Sequence, residues 1–193
     1  MEIIDFGPVT SAVAELVAGV RDDQLGNPTP CPAYTVGDLL DHIGGLSLAF
    51  RCAATKEPAP GGGNASGDAS RLEPGFRDRI TRDLAALADA WRDPAAYAGL
   101  TMAGPIEMPA EIAVLVALDE VTVHGWDLAR ATGQAYDPDP AAVLASLSFA
   151  QSFEVPAGAP DGGPFGPPVA VPSDAPALDR LAGATGRDPG WTP

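Results

Sequence analysis

The chain is short of several things, and each shortage removes a class of protein. It holds two cysteines, Cys31 and Cys52. That is too few for a disulfide framework, and no CxxC pair offers a zinc knuckle or a redox motif. In a reducing compartment two such thiols stay free. Basic residues are scarce: 11 Lys and Arg stand against 26 Asp and Glu, for a net charge of −15. Nucleic acids and anionic membranes are both held by basic patches, so neither is expected as a partner. No apolar run approaches the roughly 20 residues that span a bilayer. The first residues, Met1–Asp5, lack a basic stretch followed by an apolar one, so no signal peptide is read and a cytoplasmic location is expected. Gly61–Gly63 lack the lysine and helix start of a phosphate loop. Long alternating runs bounded by turn dipeptides are missing too, so the β signal is weak.

What remains is helical periodicity. At 193 residues and 46% hydrophobic, the chain can build one domain with a real core. Phe6, Val9, Val13, Leu16, Val17 and Val20 recur at spacings of three and four, which predicts an amphipathic helix over 5–21. Residues 22–32 carry three prolines and break it. Thr35, with Asp38 three residues on, resembles a capping box and opens a second helix. Its stripe is Val36, Leu39, Leu40, Ile43, Leu46 and Phe50, and His42 borders that stripe, facing inward or along a seam. Residues 55–75 read as a flexible surface loop with no core contribution. A third helix is predicted over 76–92, and a short hairpin is a candidate around Ala103-Gly104-Pro105. A later helix starts at Pro138 or Pro140, residues 154–175 wrap over the core, and 178–184 form a last short helix. The expected fold is all-α: a four-helix up-and-down bundle over 1–155 with long irregular connections, and a Pro/Gly-rich C-terminal extension, 156–193, packed on it.

The most informative stretch is Met108–Gly133, MPAEIAVLVALDEVTVHGWDLARATG. Pro109 suits the first turn of a helix and Gly133 the residue after its end. Ile112–Leu118 is apolar at every position, as in a helix buried all round. The same helix then presents Asp119, Glu120, His124 and Asp127. Burying such groups without partners is costly. Glu120 and His124 are four apart and share a face, which Asp127 continues. The spacing admits two readings: an internal Glu120–His124 pair, or ligands to a divalent metal. The chain has two histidines, and His42 with Glu120 and His124 makes a set of three N/O ligands, which leaves room for water or substrate. Asp127 reads as an acceptor orienting an imidazole or as a helix-surface charge. Trp126 reads as core or pocket wall. Arg130 serves the helix dipole or an anionic substrate. Cys31, with no cation placed to acidify it, reads as a small packed residue.

Thr29–Leu40 (TPCPAYTVGDLL) with His42, and Glu120–Gly133 (EVTVHGWDLARATG), resemble the two motif blocks of the DinB/YfiT-like superfamily. More closely they resemble its branch related to the metal-binding domain of mycothiol-dependent maleylpyruvate isomerase. The tail, with FGPPVAVPSDAPALDRLAGATGRDP, is similar to the C-terminal region of that branch's uncharacterised metal-binding members. The resemblance implies a four-helix bundle holding a divalent metal, usually zinc, through His42, Glu120 and His124. Tyr34 stands where a Trp is common. Members with isomerase activity carry a further C-terminal domain, and this chain is expected to end too early for a full version of it.

The expected function is that of a metal-dependent enzyme using a low-molecular-weight thiol, as a transferase or isomerase. The metal is expected to be zinc, with nickel or another first-row ion as alternatives. Metal-activated water attacking an ester or amide is a second reading. A non-catalytic metal- or ligand-binding protein is a third. The partner is a small-molecule substrate, and whether the bundle forms a homodimer is left open.

Overall fold

The structure is a computed structural model that describes residues 3–63, 66–153 and 165–193. It is mostly helical. Six α-helices follow one another: α1 (Gly7–Gly19), α2 (Val36–Thr55), α3 (Phe76–Ala90), α4 (Ala110–Thr132), α5 (Pro140–Gln151) and α6 (Ala177–Ala184). One antiparallel hairpin, β1 (Leu100–Ala103) and β2 (Ile106–Pro109), turns at Gly104-Pro105. That small sheet qualifies the all-α expectation at the place where the hairpin was predicted. Gly104 has φ +60, which a two-residue turn needs and glycine supplies without strain.

Helix α1 packs on α3 and α4, and α2 packs on the same two, so the four close a ring in the order α1, α3, α2, α4. α1 and α2, and likewise α3 and α4, therefore sit across the ring from each other, which the long connections 20–35 and 91–109 permit, while α2 and α3 are neighbours. The ring encloses Phe6, Val13, Leu39, Leu40, Ile80, Leu84, Leu87, Trp91 and Leu118, all fully buried. A second apolar cluster forms outside the ring, where Val123 of α4 meets Val143 and Leu147 of α5 and Leu181 of α6. No helix among the described residues is long and apolar enough to cross a membrane.

Helix α4 differs in detail from expectation. Pro109 closes β2 and precedes the helix, which begins at Ala110. Ile112 is exposed, while burial is nearly continuous from Ala117 to Ala129. The apolar run near its start faces the ring on one side only. The polar-bearing second half is enclosed, because α5 and α6 cover the side that the ring leaves open. Gly133 ends the helix at φ +70, as its position predicted.

The capping box of α2 is formed. The Asp38 amide donates to Thr35 Oγ1 (3.3 Å), and the Thr35 amide donates to Asp38 Oδ2 (2.9 Å). Asp38 also accepts from the Ala69 amide at 2.8 Å. The 55–75 connection is thus tied down, contrary to the expectation of a free surface loop. Leu72 packs against the core, the Gly67 amide donates to the Tyr34 hydroxyl, and Arg71 pairs with Asp41 at 2.7 Å. Apart from residues 64–65, which lie outside the described residues, this connection buttresses the start of α2.

The Thr35 hydrogen bond holds the Asp38 carboxyl below its ordinary 3.8, with help from the Ala69 and Thr35 amides. A depressed carboxyl stabilises the fold above its unfolded value and loses that contribution as pH falls through the folded one. Asp38→Ala is expected to cost about 1–2 kcal/mol in urea denaturation at neutral pH, the range of a lost cap. The difference from wild type should shrink as pH falls below 3.8. An Asp38→Ala variant as stable as wild type at neutral pH contradicts this account.

Candidate metal centre

Two helices and one loop build the site. His42 comes from the second turn of α2, and Glu120 and His124 from adjacent turns of α4. Their ligand atoms all lie within 4.8 Å of one another. His42 Nε2 is 3.1 Å from His124 Nε2 and 3.9 Å from Glu120 Oε2, and His124 Nε2 is 3.1 Å from the same oxygen. The two rings meet edge to face, with centroids 4.7 Å apart.

Asp127, one turn on from His124, is fully buried. Its Oδ2 lies 2.9 Å from His124 Nδ1. A carboxylate there accepts a hydrogen bond from Nδ1–H, which keeps the proton on Nδ1 and leaves the Nε2 lone pair facing His42 and Glu120. Asp127 is itself held by Arg187, whose Nη2 donates to Oδ2 at 3.0 Å and whose Nε donates to Oδ1 at 3.3 Å. Arg187 also donates through Nη1 to the Thr185 carbonyl. The tail following α6 therefore reaches back to the centre of α4.

The 25–35 loop covers the other side. Thr29 Oγ1 donates to the carbonyls of Cys31 and Tyr34, and the Val36 and Gly37 amides donate to those of Asn27 and Leu25. These bonds set Tyr34 against the His42 ring, at 5.1 Å between centroids. Gly125, beside His124, permits close helix packing: a Cβ there would lie 2.5 Å from the Tyr136 hydroxyl and 2.8 Å from Val13 Cγ2.

A cavity of about 260 Å³ opens onto the three ligand atoms. Beyond them, its walls include Cys31, Tyr34, Asp119, Val123, Phe165 and Arg187. Asp119 and Arg187 were not singled out for the site from sequence. Cys31, read as a packed residue, lines the cavity, and burial pushes its thiol up. Both cysteines are free. Trp126 and Arg130 are not at this cavity. Trp126 lines a separate small cavity with Leu178 and Leu181 of α6, and Arg130 donates to the carbonyls of Pro189 and Trp191 while its guanidinium lies over the Trp126 ring. Two and six residues beyond His124, at 100° per residue, they point to other faces of α4.

The donor set suits a divalent cation. Two imidazole nitrogens and one carboxylate oxygen are the ligand types of zinc sites, and bonds of about 2.0–2.1 Å to one ion put donors a little over 3 Å apart. The observed separations lie near that spacing.

A mostly helical fold with a His/Glu/His cluster between two ring helices defines the class of protein. The chain belongs to the family of the mycothiol maleylpyruvate isomerase N-terminal domain, whose model matches residues 6–129. Two similar proteins, each 35% identical over 182 residues, are uncharacterized proteins of Mycobacterium tuberculosis, one from strain CDC 1551 / Oshkosh and one from strain ATCC 25618 / H37Rv. Each alignment covers 91% of this chain and 92% of its relative. The fold is similar to the crystal structure of the mycothiol-dependent maleylpyruvate isomerase, with 22% identity and a TM-score of 0.53. A histidine-to-alanine mutant of that enzyme gives 21% and 0.54. In both cases 72% of this chain is covered, but it spans only 63% of the isomerase's length.

Without a metal the site is a proton store. Burial alone pulls the His124 imidazole down, but the Asp127 and Glu120 hydrogen bonds overcome it and raise the group from 6.5 to about 9. Burial, reinforced by the Glu120 charge, raises the Asp119 carboxyl from 3.8 to about 7. In both cases the folded state binds more protons than the unfolded one, so stability falls as pH rises. The Asp119 contribution is lost between 3.8 and about 7, and that of His124 between 6.5 and about 9. A cation on the same atoms has the opposite dependence, because it competes with protons for its ligands. The chelated protein should melt lower at pH 9 than at pH 6.5, and zinc should raise the melting temperature more at the higher pH. Superimposable melting curves with and without zinc at both pH values contradict this.

Proposed function

We propose that the chain is a divalent-metal protein with His42, Glu120 and His124 as ligands, acting in the cytoplasm as a metal-dependent enzyme on a small molecule. The co-reactant is a low-molecular-weight thiol and the reaction a transfer or isomerisation. The observation that carries this reading is the convergence of those three side chains on one cavity. Zinc suits the donor set, and nickel or another first-row ion is accommodated by it. Membership of the isomerase-domain family supports the thiol. The substrate of the solved isomerase is not carried over, because this chain spans only 63% of that enzyme. On this reading the helix ring is the DinB-type four-helix bundle. Residues 156–193 are an extension packed on it, although their junction with the bundle falls within 154–164, outside the described residues.

A bound divalent cation supplies positive charge that acidifies a thiol brought beside it. The rest is done by the chain's own groups. Asp127 keeps the His124 proton on Nδ1, and Arg187 keeps Asp127 in place. Tyr34 packs on the His42 ring and fixes its plane. Val123 and Phe165 give the cavity an apolar wall that limits water around a reactive sulfur.

Cobalt substitution tests this directly. A low-molecular-weight thiol should produce a sulfur-to-cobalt charge-transfer band in the near ultraviolet. The band should disappear in His42→Ala, Glu120→Ala and His124→Ala and survive Cys31→Ser and Cys52→Ser. If thiols leave the spectrum unchanged while a coordinated water titrates near neutral pH, the hydrolytic reading replaces this one.

A further inference from the structure

Among the described residues, three buried side-chain polar atoms have no hydrogen-bond partner: Trp91 Nε1, Asp119 Oδ1 and Ser146 Oγ. Neither Trp91 nor Ser146 lines the cavity beside the metal-ligand set, but Asp119 does. Asp119 is 3% exposed, and it stands one residue before Glu120 on α4. A buried carboxyl oxygen without a donor is costly, and native proteins rarely leave one. Asp119 is buried and lines the cavity, so the cavity is the space from which a donor can reach its carboxyl group.

The other charged groups on the cavity wall are already engaged. Arg187 gives Nε and Nη2 to Asp127 and Nη1 to the Thr185 carbonyl. His124 gives Nδ1 to Asp127, and its Nε2 faces Glu120 and His42. Asp119 is the wall carboxylate left over. The local balance also matters: Asp119, Glu120 and Asp127 bring three carboxylates against the single guanidinium of Arg187. A divalent cation offsets that excess and leaves nothing to attract a further anion toward Asp119.

We infer that Asp119 is a specificity-determining residue, whose carboxylate receives a hydroxyl, ammonium or amide N–H carried by the ligand that occupies this cavity. The inference rests on the proposed reading of the cavity as the substrate site. It narrows the ligand class to neutral or cationic, donor-bearing molecules and disfavours those with a carboxylate at that end.

Four small thiols of similar size separate the cases: ethanethiol, 2-mercaptoethanol, cysteamine and 3-mercaptopropionate. Each is titrated into the cobalt-loaded full chain at one fixed, mildly alkaline pH, at which Asp119 is a carboxylate. Calorimetry reads affinity, and the charge-transfer band reads coordination. In wild type, 2-mercaptoethanol and cysteamine should bind about tenfold more tightly than ethanethiol, the scale of a hydrogen bond to a charged group. 3-Mercaptopropionate should bind more weakly than ethanethiol. Asp119→Asn keeps the shape and removes the charge, so cysteamine should lose its advantage and 3-mercaptopropionate should gain. Asp119→Ala should bring 2-mercaptoethanol level with ethanethiol. A flat ranking in wild type, or a ranking unchanged in both variants, overturns the role of Asp119 and leaves the thiol reading intact if the band is present. The predicted ranking without any band upholds Asp119 and removes the thiol from the metal. No binding of any thiol overturns both. The wild-type ranking decides alone if a variant fails to fold.

Discussion

Two imidazole nitrogens and a carboxylate oxygen within 4.8 Å of one another, at the meeting of two packed helices, concentrate lone pairs in one place. Such a cluster is held together only by positive charge among its members, whether from protons or from a metal. The rest of the molecule depends on that requirement. The ring order brings α2 and α4 side by side, so that His42 meets the face of α4 carrying Glu120 and His124. The close approach at Gly125 seats that part of α4 against α1. Helices α5 and α6 then close over its far side.

The link from His124 to Asp127 to Arg187 extends the site well beyond its ligands. It crosses from α4 to a residue 60 positions later and fixes the imidazole through a fully buried carboxylate. Arg130 anchors the same tail by a separate route, through the carbonyls of Pro189 and Trp191. The family model ends at residue 129, so Arg187 lies outside the matched domain while supporting its centre. Loss of the tail should therefore be felt at the candidate ligand set, because the orientation of His124 is set by a carboxylate that the tail restrains.

Much of this was legible from spacing. The helices of the ring, the cap at Thr35, the hairpin at Gly104 and the placement of Glu120 and His124 on one face all follow from local rules that operate over three or four residues. Rotation about α4 also separates Asp127, which joins the site, from Trp126 and Arg130, which do not. Other features depend on contacts that spacing does not encode. Arg187 shares no period with His124, and only the return of the tail brings them together. The 55–75 connection reads as a loop by composition, yet its backbone amides satisfy Asp38, Asp41 and Tyr34. Asp119 was visible as a carboxylate on a buried helix, but its lack of a partner is a property of the packed structure alone.

The central claim is that His42, Glu120 and His124 share one cation. Elemental analysis of the purified chain tests it without any assumption about the reaction. Wild type should carry about one equivalent of a divalent first-row metal, as single-site zinc domains do, while His42→Ala and His124→Ala carry little. A wild-type protein that holds no divalent ion after exposure to zinc, or variants that hold as much as wild type, would contradict the account.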